Sequence, residues 1–125
     1  MSRSSNAARY GSRAEKKFAA DRGLDLDGTH TSWCDARRPN GEPVEIKAGM
    51  VSTGYWQIYQ KYHEQIRSAG GWYGLVVYKP WGRGIRVVKS KMVRPERLPL
   101  STLWSPTGGH RDSEKAKLRF EEVFR

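Results

Sequence analysis

Apolar residues recur with changing periods along the chain, and each period predicts an element. Over residues 6–22 they fall at every fourth position, as Tyr10, Ala14 and Phe18 show, which predicts an amphipathic helix. Gly23 follows directly and is a typical residue at the C-terminal end of a helix. Glu15 flanks the apolar stripe, so we expect it at the edge of the buried face.

The next segment predicts strands. Leu24 and Leu26 alternate with polar residues, residues 32–37 are predicted to form a strand, and residues 44–48 return as its partner. Between these two strands the letters RPNG are typical of a turn, because Asn-Gly tolerates a positive φ. We therefore expect an antiparallel hairpin here.

A second helix is predicted by apolar residues at spacings of four, three, four and three: Tyr55, Tyr59, Tyr62, Ile66 and Ala69. Gly70 and Gly71 would end it. The opposite helix face would present four larger polar or aromatic side chains: Trp56, Gln60, His63 and Arg67.

The stretch WYGLVVYKP, rich in valine and aromatic residues, is the strongest strand prediction, and IRVVKS after the WGRG turn predicts another strand. Beyond Met92 proline becomes frequent, and SPTGGHRD is typical of a linker. Asp112 or Ser113 is then placed to cap a last short helix through Phe124.

This order of elements predicts an α/β or α+β fold, with a mixed sheet of about five strands flanked by helices. We assign residues 1–104 to the main domain, including a basic N-terminal arm at residues 1–6. Residues 105–125 would form the linker and an extra C-terminal helix. That tail docks on the domain, pairs with a second copy or is partly disordered.

The charge balance indicates a polyanionic partner. The 125 residues include 23 Lys and Arg against 13 Asp and Glu, a formal net charge of +10. Nucleic acid is favoured because Trp, Tyr and Arg are interleaved with the other basic residues. An anionic membrane surface is the rival partner, but the chain has no clear basic amphipathic anchor.

Cysteine usage and apolar runs favour an intracellular, cytoplasmic protein. Cys34 is the only cysteine, so it forms no intramolecular disulfide, and no Cys/His cluster suggests zinc. The apolar runs are too short to span a membrane, and the first residues lack the apolar core of a signal peptide.

The predicted hairpin brings ionisable side chains together. Val44 and Ile46 share one face of their strand, so Glu45 and Lys47 share the other. Asp35 lies on the neighbouring strand, opposite this pair. Such a face is either simply solvated, as many Glu/Lys faces are, or it holds chemistry.

Phosphodiester cleavage is the chemistry that this set of residues suits. Asp35 and Glu45 can supply the oxygen ligands that Mg²⁺ prefers, with Mn²⁺ as a substitute and the backbone carbonyl of Ile46 as a further ligand. Lys47 can position the attacking water or neutralise charge on the phosphorane. Glu15 can hold a metal-bound water or a second ion.

A solvated Glu/Lys face without chemistry is a serious alternative, because Glu-x-Lys occurs by chance in roughly a third to a half of chains this long. Against it, two carboxylates that face each other across a hairpin repel unless a cation lies between them. The positive net charge also matches a phosphate substrate.

The ordered pieces SRAEKKFAADRG, SWCDA, VEIKA and YQKYHEQIRSAGGWYGLVVY resemble the PD-(D/E)XK nuclease superfamily. Within that superfamily the pieces resemble the archaeal Holliday junction resolvases and related small archaeal or viral nucleases. The resemblance covers roughly residues 8–88. It implies a restriction-endonuclease-like fold, Mg²⁺-dependent DNA cleavage, a homodimer and branched or junction DNA as substrate, in recombination or repair.

The resemblance also implies residue roles. Glu15 resembles the family's first-helix Glu, Asp35 the motif Asp, and Glu45 with Lys47 the (D/E)-x-K pair. The resolvases use a loop Ser before the Asp, for which this chain offers three candidates: Thr29, Thr31 and Ser32. His30 in the same loop is either a phosphate contact or proton carrier, or a plain loop residue. The chain beyond Lys91 departs from the resolvase pattern.

Candidate contacts to DNA phosphates lie on the first helix, in the catalytic loop and at two turns: Arg13, Lys16, Lys17, Ser32, Arg37, Arg38 and Arg83. The predicted outer face of the second helix either meets DNA or a second subunit, or is solvated. Gln57 or Gln60 on that helix is a candidate to point toward the metal site. A non-catalytic nucleic-acid-binding module is the alternative function.

Overall fold

The computed structural model describes residues 3–31, 33–105 and 114–124, and the side chains of all of these except residues 3–8 and 27–31. The elements, in chain order, are α1 (Arg3–Arg22), β1 (Asp25–Thr31), β2 (Cys34–Arg37), β3 (Pro43–Met50), β4 (Tyr55–Tyr59), α2 (Gln60–Ser68), β5 (Trp72–Trp81), β6 (Gly84–Val93), a 3₁₀ turn (Pro95–Arg97), β7 (Lys115–Arg119) and α3 (Phe120–Val123).

Five strands form a mixed sheet in the order β1-β2-β3-β5-β6, and β4 pairs with β7 in a separate two-stranded ladder. Strands β3 and β5 run parallel, whereas the other pairs in the large sheet are antiparallel. The chain between β3 and β5 crosses over through β4 and α2, as a parallel pair requires. The predicted α+β fold with a five-stranded mixed sheet is confirmed.

The large sheet has a core on each face. Helix α1 packs Ala14 and Phe18 onto one face, against Ile46 of β3 and Val76 of β5. The other face lies under α2, the β4–β7 ladder and the segment after β6, where Trp56 is among the buried residues. Apolar residues on both faces of the central strands account for the continuous apolar run of β5.

Several predicted elements are confirmed. Helix α1 ends at Arg22, and Gly23 has a φ of +66°, which favours glycine. Strands β2 and β3 form the expected antiparallel hairpin. Strands β5 and β6 pair through the predicted turn, where Gly82 has a φ of +58°.

The prediction of one helix over Tyr55–Ala69 is wrong in its first part. Residues 55–59 form β4, in which Trp56 and Ile58 are buried at a spacing of two, and the helix begins only at Gln60. A strand forms here because β7 offers a complete antiparallel partner for β4. Trp56 therefore does not share an outer helix face with Gln60, His63 and Arg67.

The predicted C-terminal helix is also wrong over most of its length. Residues 115–119 form β7, with Ala116 and Leu118 buried at a spacing of two, and the helix is confined to Phe120–Val123. The C-terminal segment thus completes the two-stranded ladder and packs on the core. The predicted capping residues Asp112 and Ser113 lie outside the described residues.

In the part of the chain that the structure describes, no helix combines the length and apolar character needed to cross a bilayer.

Candidate active site

The β2–β3 hairpin opens at Asp35. Its register pairs Arg37 with Pro43 and Ala36 with Val44. One residue further along, a carboxylate oxygen of Asp35, Oδ2, accepts the main-chain N–H of Ile46 at 2.8 Å. The side chain of Asp35 therefore takes a hydrogen bond on β3 where the strand pairing stops, and this holds the carboxylate against β3.

The face of β3 that carries Glu45 is not a solvated face. Glu45 is 5% exposed, which is unusual for a carboxylate. Lys47, two residues on, places its Nζ 3.9 Å from Glu45 Oε2 and remains partly exposed. A buried carboxylate beside a lysine costs free energy unless a proton, a partner charge or a cation compensates it.

Glu15 reaches the site of Asp35 and Glu45 from α1. Its neighbour Ala14 and Phe18 are buried against the sheet, which fixes this turn of the helix. The pKa of Glu15 is raised to about 7, chiefly by burial and also by the charge of the nearby Asp35, while Lys47 opposes the shift. The predicted edge position of Glu15 thus brings a third carboxyl group to the hairpin.

The pKa of Glu45 is raised well above its usual range. Burial is the largest cause, followed by a hydrogen bond with the side chain of Asp35 and by the charges of Asp35 and Glu15, while Lys47 lowers it. Crowded carboxyl groups of this kind retain protons unless a cation replaces them.

One open cavity of about 530 Å³ joins these groups. Its lining comes from α1, the β2–β3 hairpin and β4: Glu15, Asp35, Glu45, Ile46, Lys47, Ala48, Tyr55, Trp56 and Gln57. The four residues predicted to form the catalytic set therefore lie around one space, although they come from three different elements.

The donor set suits a hard divalent cation. The cavity offers three carboxyl groups, and the main-chain carbonyl of Ile46 is available on the same strand, which is the oxygen-rich chemistry that Mg²⁺ and Mn²⁺ prefer. Within the described residues no three acidic, His or Cys side chains already converge on one metal-sized point. Asp35 is meanwhile occupied by the N–H of Ile46. The oxygen donors of these residues, and the raised pKa values of Glu15 and Glu45, fit a divalent cation.

Residues of β4 line the cavity, although the sequence had predicted a helix for this segment. Gln57 and Tyr55 alternate with buried Trp56 and therefore face the cavity. Gln57 also donates to the hydroxyl of Tyr59 at 2.9 Å. Gln60 lines a different cavity, with His63 and Arg67, so of the two glutamines only Gln57 lies at the site. The alternation of Trp56 and Ile58 was the signal available for this strand.

The candidate phosphate contacts on α1 differ in their surroundings. Arg13 donates to the main-chain carbonyl of Arg83, which ties α1 to the β5–β6 turn. Lys17 forms an exposed ion pair with Asp21 at 3.0 Å, and Lys16 is exposed.

The candidates at the β2–β3 turn also differ. Arg37 is exposed and donates to the carbonyl of Gly41. Arg38 pairs with Glu42 at 3.2 Å and stacks 5.0 Å above the ring of Trp72. The loop candidates, Thr29, Thr31 and Ser32 with His30, lie outside the residues whose side chains are described.

Glu42 is the centre of a second polar cluster. Asn40 and the indole N–H of Trp72 donate to its Oε1, and Arg94 pairs with its Oε2 at 3.0 Å. Hydrogen bonds from Asn40, Trp72 and Arg94 lower the pKa of Glu42 to about 2. This cluster links the β2–β3 turn to the ends of β5 and β6 and was not predicted from the sequence.

The family assignment rests on a match over the whole chain and not on the short motif alone. A model of the PD-(D/E)XK nuclease superfamily domain matches residues 1–125. The chain belongs to the PD-(D/E)XK nuclease superfamily. Its five-stranded mixed sheet with flanking helices is consistent with the restriction-endonuclease-like fold of that superfamily. No curated protein matches the chain.

Membership in the PD-(D/E)XK superfamily supports a nuclease function, the hydrolysis of phosphodiester bonds. Nucleases of this superfamily typically use divalent metal ions, and a nuclease domain implies a nucleic-acid substrate.

Proposed function

We propose that this protein is a Mg²⁺-dependent DNA endonuclease that selects branched DNA, in the manner of the Holliday junction resolvases, and acts as a homodimer. The observation that carries the proposal is the buried Glu45 carboxyl group beside Asp35 and Lys47 in one open cavity. The net charge of +10 favours a polyanionic substrate of this kind.

Asp35 and Glu45 would hold the metal ion, with the Ile46 carbonyl as a further ligand and Glu15 acting through a bound water. A bound Mg²⁺ supplies Lewis acidity toward the phosphate and a lowered pKa for a bound water. Glu45 would contribute its negative charge from a buried position, where its attraction for a cation is less screened by water, and Asp35 would contribute from the edge of the cavity.

In this proposal Lys47 would act on the substrate. Its Nζ lies 3.9 Å from Glu45 Oε2, and its side chain is partly exposed toward the cavity. From this position the ammonium group can orient the attacking water or offset the charge that gathers on the phosphorane. Gln57 on β4 lies across the cavity and can donate a hydrogen bond to a phosphate oxygen or to that water.

Calorimetric titration with Mn²⁺ tests the metal site directly, since it needs no knowledge of the DNA substrate. The wild-type protein should bind Mn²⁺, and the Asp35→Asn and Glu45→Gln proteins should bind it at least tenfold more weakly. A non-catalytic nucleic-acid-binding module would instead bind DNA without any Mn²⁺ binding that depends on these carboxylates.

Substrate choice needs a panel of labelled DNAs, comprising a four-way junction, a flap, a nicked duplex and an intact duplex, each with Mg²⁺ or EDTA. The proposal predicts Mg²⁺-dependent cleavage that favours the branched forms. Equal cleavage of the intact duplex would contradict the branched-DNA part of the proposal and leave the nuclease part standing.

A further inference from the structure

The β5–β6 hairpin carries an exposed tryptophan that the proposed active site does not use. Trp81 is 57% exposed, more than any other large apolar side chain among the described residues. Its partner across the hairpin is Gly84, which has no side chain to cover the indole ring. An isolated exposed apolar residue is ordinary, so the surroundings of the ring decide its meaning.

Two cations flank the ring of Trp81. Lys79 and Arg86 are cross-strand partners, and their charged groups lie 5.0 and 5.1 Å from the centroid of the indole. Cation–π attraction holds the ring over this pair and limits its rotamers. The result is an exposed aromatic ring with two positive charges packed over it. Proteins that bind single-stranded nucleic acid combine aromatic rings, on which bases stack, with basic side chains that contact the backbone.

The hairpin tip has a fixed relation to the catalytic pocket. Leu75 on β5 pairs with Lys47, and Trp81 lies six residues further along the same strand. At about 3.3 Å per residue this separates Trp81 from Lys47 by roughly 20 Å along the strand. That distance equals about six stacked nucleotides at 3.4 Å each.

Helix α1 connects the hairpin tip to the catalytic cavity. Arg13 donates to the carbonyl of Arg83 in the hairpin turn, and Glu15, on the same helix turn, lines the catalytic cavity. The hairpin tip is therefore held against the element that positions one of the catalytic carboxyl groups.

We propose that Lys79, Trp81 and Arg86 form a second nucleic-acid contact, the hairpin-tip site, where Trp81 stacks on an unpaired base about six nucleotides from the cleaved bond. This extends the proposed nuclease function, since a branch or single-stranded tail offers such a base and an intact duplex does not. Stacking on Trp81 would add affinity for DNA whose unpaired region begins at that distance.

The test is equilibrium binding in EDTA, so that cleavage plays no part. Full-length protein is titrated against a fluorescent duplex with a single-stranded tail and against a blunt duplex of equal length. Trp81→Ala should weaken binding of the tailed DNA about fivefold or more, because stacking on an aromatic residue contributes that much, and should change blunt-duplex binding less than twofold. Trp81→Phe, which keeps a ring, should stay within about threefold of wild type.

Val88→Ala is the matched control, because Val88 is an exposed apolar residue on the same hairpin, 46% exposed. It should bind both DNAs as wild type does. Unchanged binding of the tailed DNA by Trp81→Ala, or equal weakening for both DNAs, would overturn the hairpin-tip site. If Trp81 dependence is found and no DNA is cut with Mg²⁺, the proposed endonuclease activity fails while the contact stands.

Discussion

The carboxylate of Asp35 accepts the main-chain N–H of Ile46 at 2.8 Å, and this hydrogen bond fixes an acidic side chain beside Glu45 at the point where two strands part. The bond serves the fold and the site together, because it satisfies a buried N–H of β3 and holds one carboxylate next to another. Substitutions of Asp35 can separate the contribution of this bond to stability from the contribution of the carboxylate to activity.

Asp35→Asn and Asp35→Ala should differ in stability and agree in activity. The amide oxygen of Asn can still accept the N–H of Ile46, so the free energy of unfolding should stay close to wild type. Ala leaves that N–H without its acceptor and should lower the free energy of unfolding by about 1–2 kcal/mol. Urea unfolding measures this, and both proteins should lose DNA cleavage. A fully active Asp35→Asn protein would remove Asp35 from the metal site.

Gln57 and Gln60 provide a matched pair that tests the placement of β4. Gln57 lines the catalytic cavity, whereas Gln60 lines the cavity beside His63. Gln57→Ala should lower the cleavage rate about tenfold by removing a donor to a phosphate oxygen or to the attacking water. Gln60→Ala should leave the rate within twofold. The reverse order would contradict the assignment of Gln57, and not Gln60, to the catalytic cavity.

Gly49→Ala tests the packing of the C-terminal segment on β3. An added Cβ at Gly49 would lie 2.7 Å from the ring of Phe120 and 3.2 Å from that of Trp56. Overpacking of this kind should lower the free energy of unfolding by about 1–3 kcal/mol.

Gly84→Ala is the control for that substitution, because its nearest neighbours lie 4.0 Å from the added Cβ and its φ is not in the left-handed region. Thermal unfolding of both proteins measures the difference. Equal melting temperatures would show that Phe120 does not pack on Gly49.

Glu42 makes stability depend on pH on the acidic side. Its pKa is lowered from 4.5 in the unfolded chain to about 2 in the fold, chiefly by hydrogen bonds from Asn40, Trp72 and Arg94. The lowered pKa means that Glu42 stabilises the fold above pH 4.5 and that this stabilisation is lost as the pH falls toward 2. Urea midpoints at pH 6, 4 and 3 should therefore fall more steeply for wild type than for Glu42→Gln. Parallel curves would contradict the role of this cluster.

The hairpin that carries Asp35, Glu45 and Lys47 was predictable because its signals are local. A turn sequence, a period of two and the position of each charge on a strand are all read within 16 residues, 32–47. The grouping of Glu15 with them was predictable from its place at the edge of the α1 stripe. The fold and the candidate site that these local signals predict agree with the PD-(D/E)XK superfamily, to which the chain belongs.

The misassigned segments depend on each other. Residues 55–59 satisfy helical and strand periods at once, and their strand partner, residues 115–119, comes more than 50 residues later. Neither segment shows by itself that the other will pair with it, and tertiary pairing overrides local preference in such cases. The position of Gln57 in the cavity follows from that pairing, so the local sequence could not predict it either.

The most direct test of the central claim is cleavage of a labelled four-way junction with Mg²⁺ by wild type and by Glu45→Gln. Gln has the shape of Glu and no charge, so it should preserve the buried packing and remove a metal ligand. The account predicts Mg²⁺-dependent cleavage by wild type and at least a hundredfold slower cleavage by Glu45→Gln, with DNA binding within threefold. Cleavage by Glu45→Gln at the wild-type rate would contradict the assignment of this hairpin as the active site.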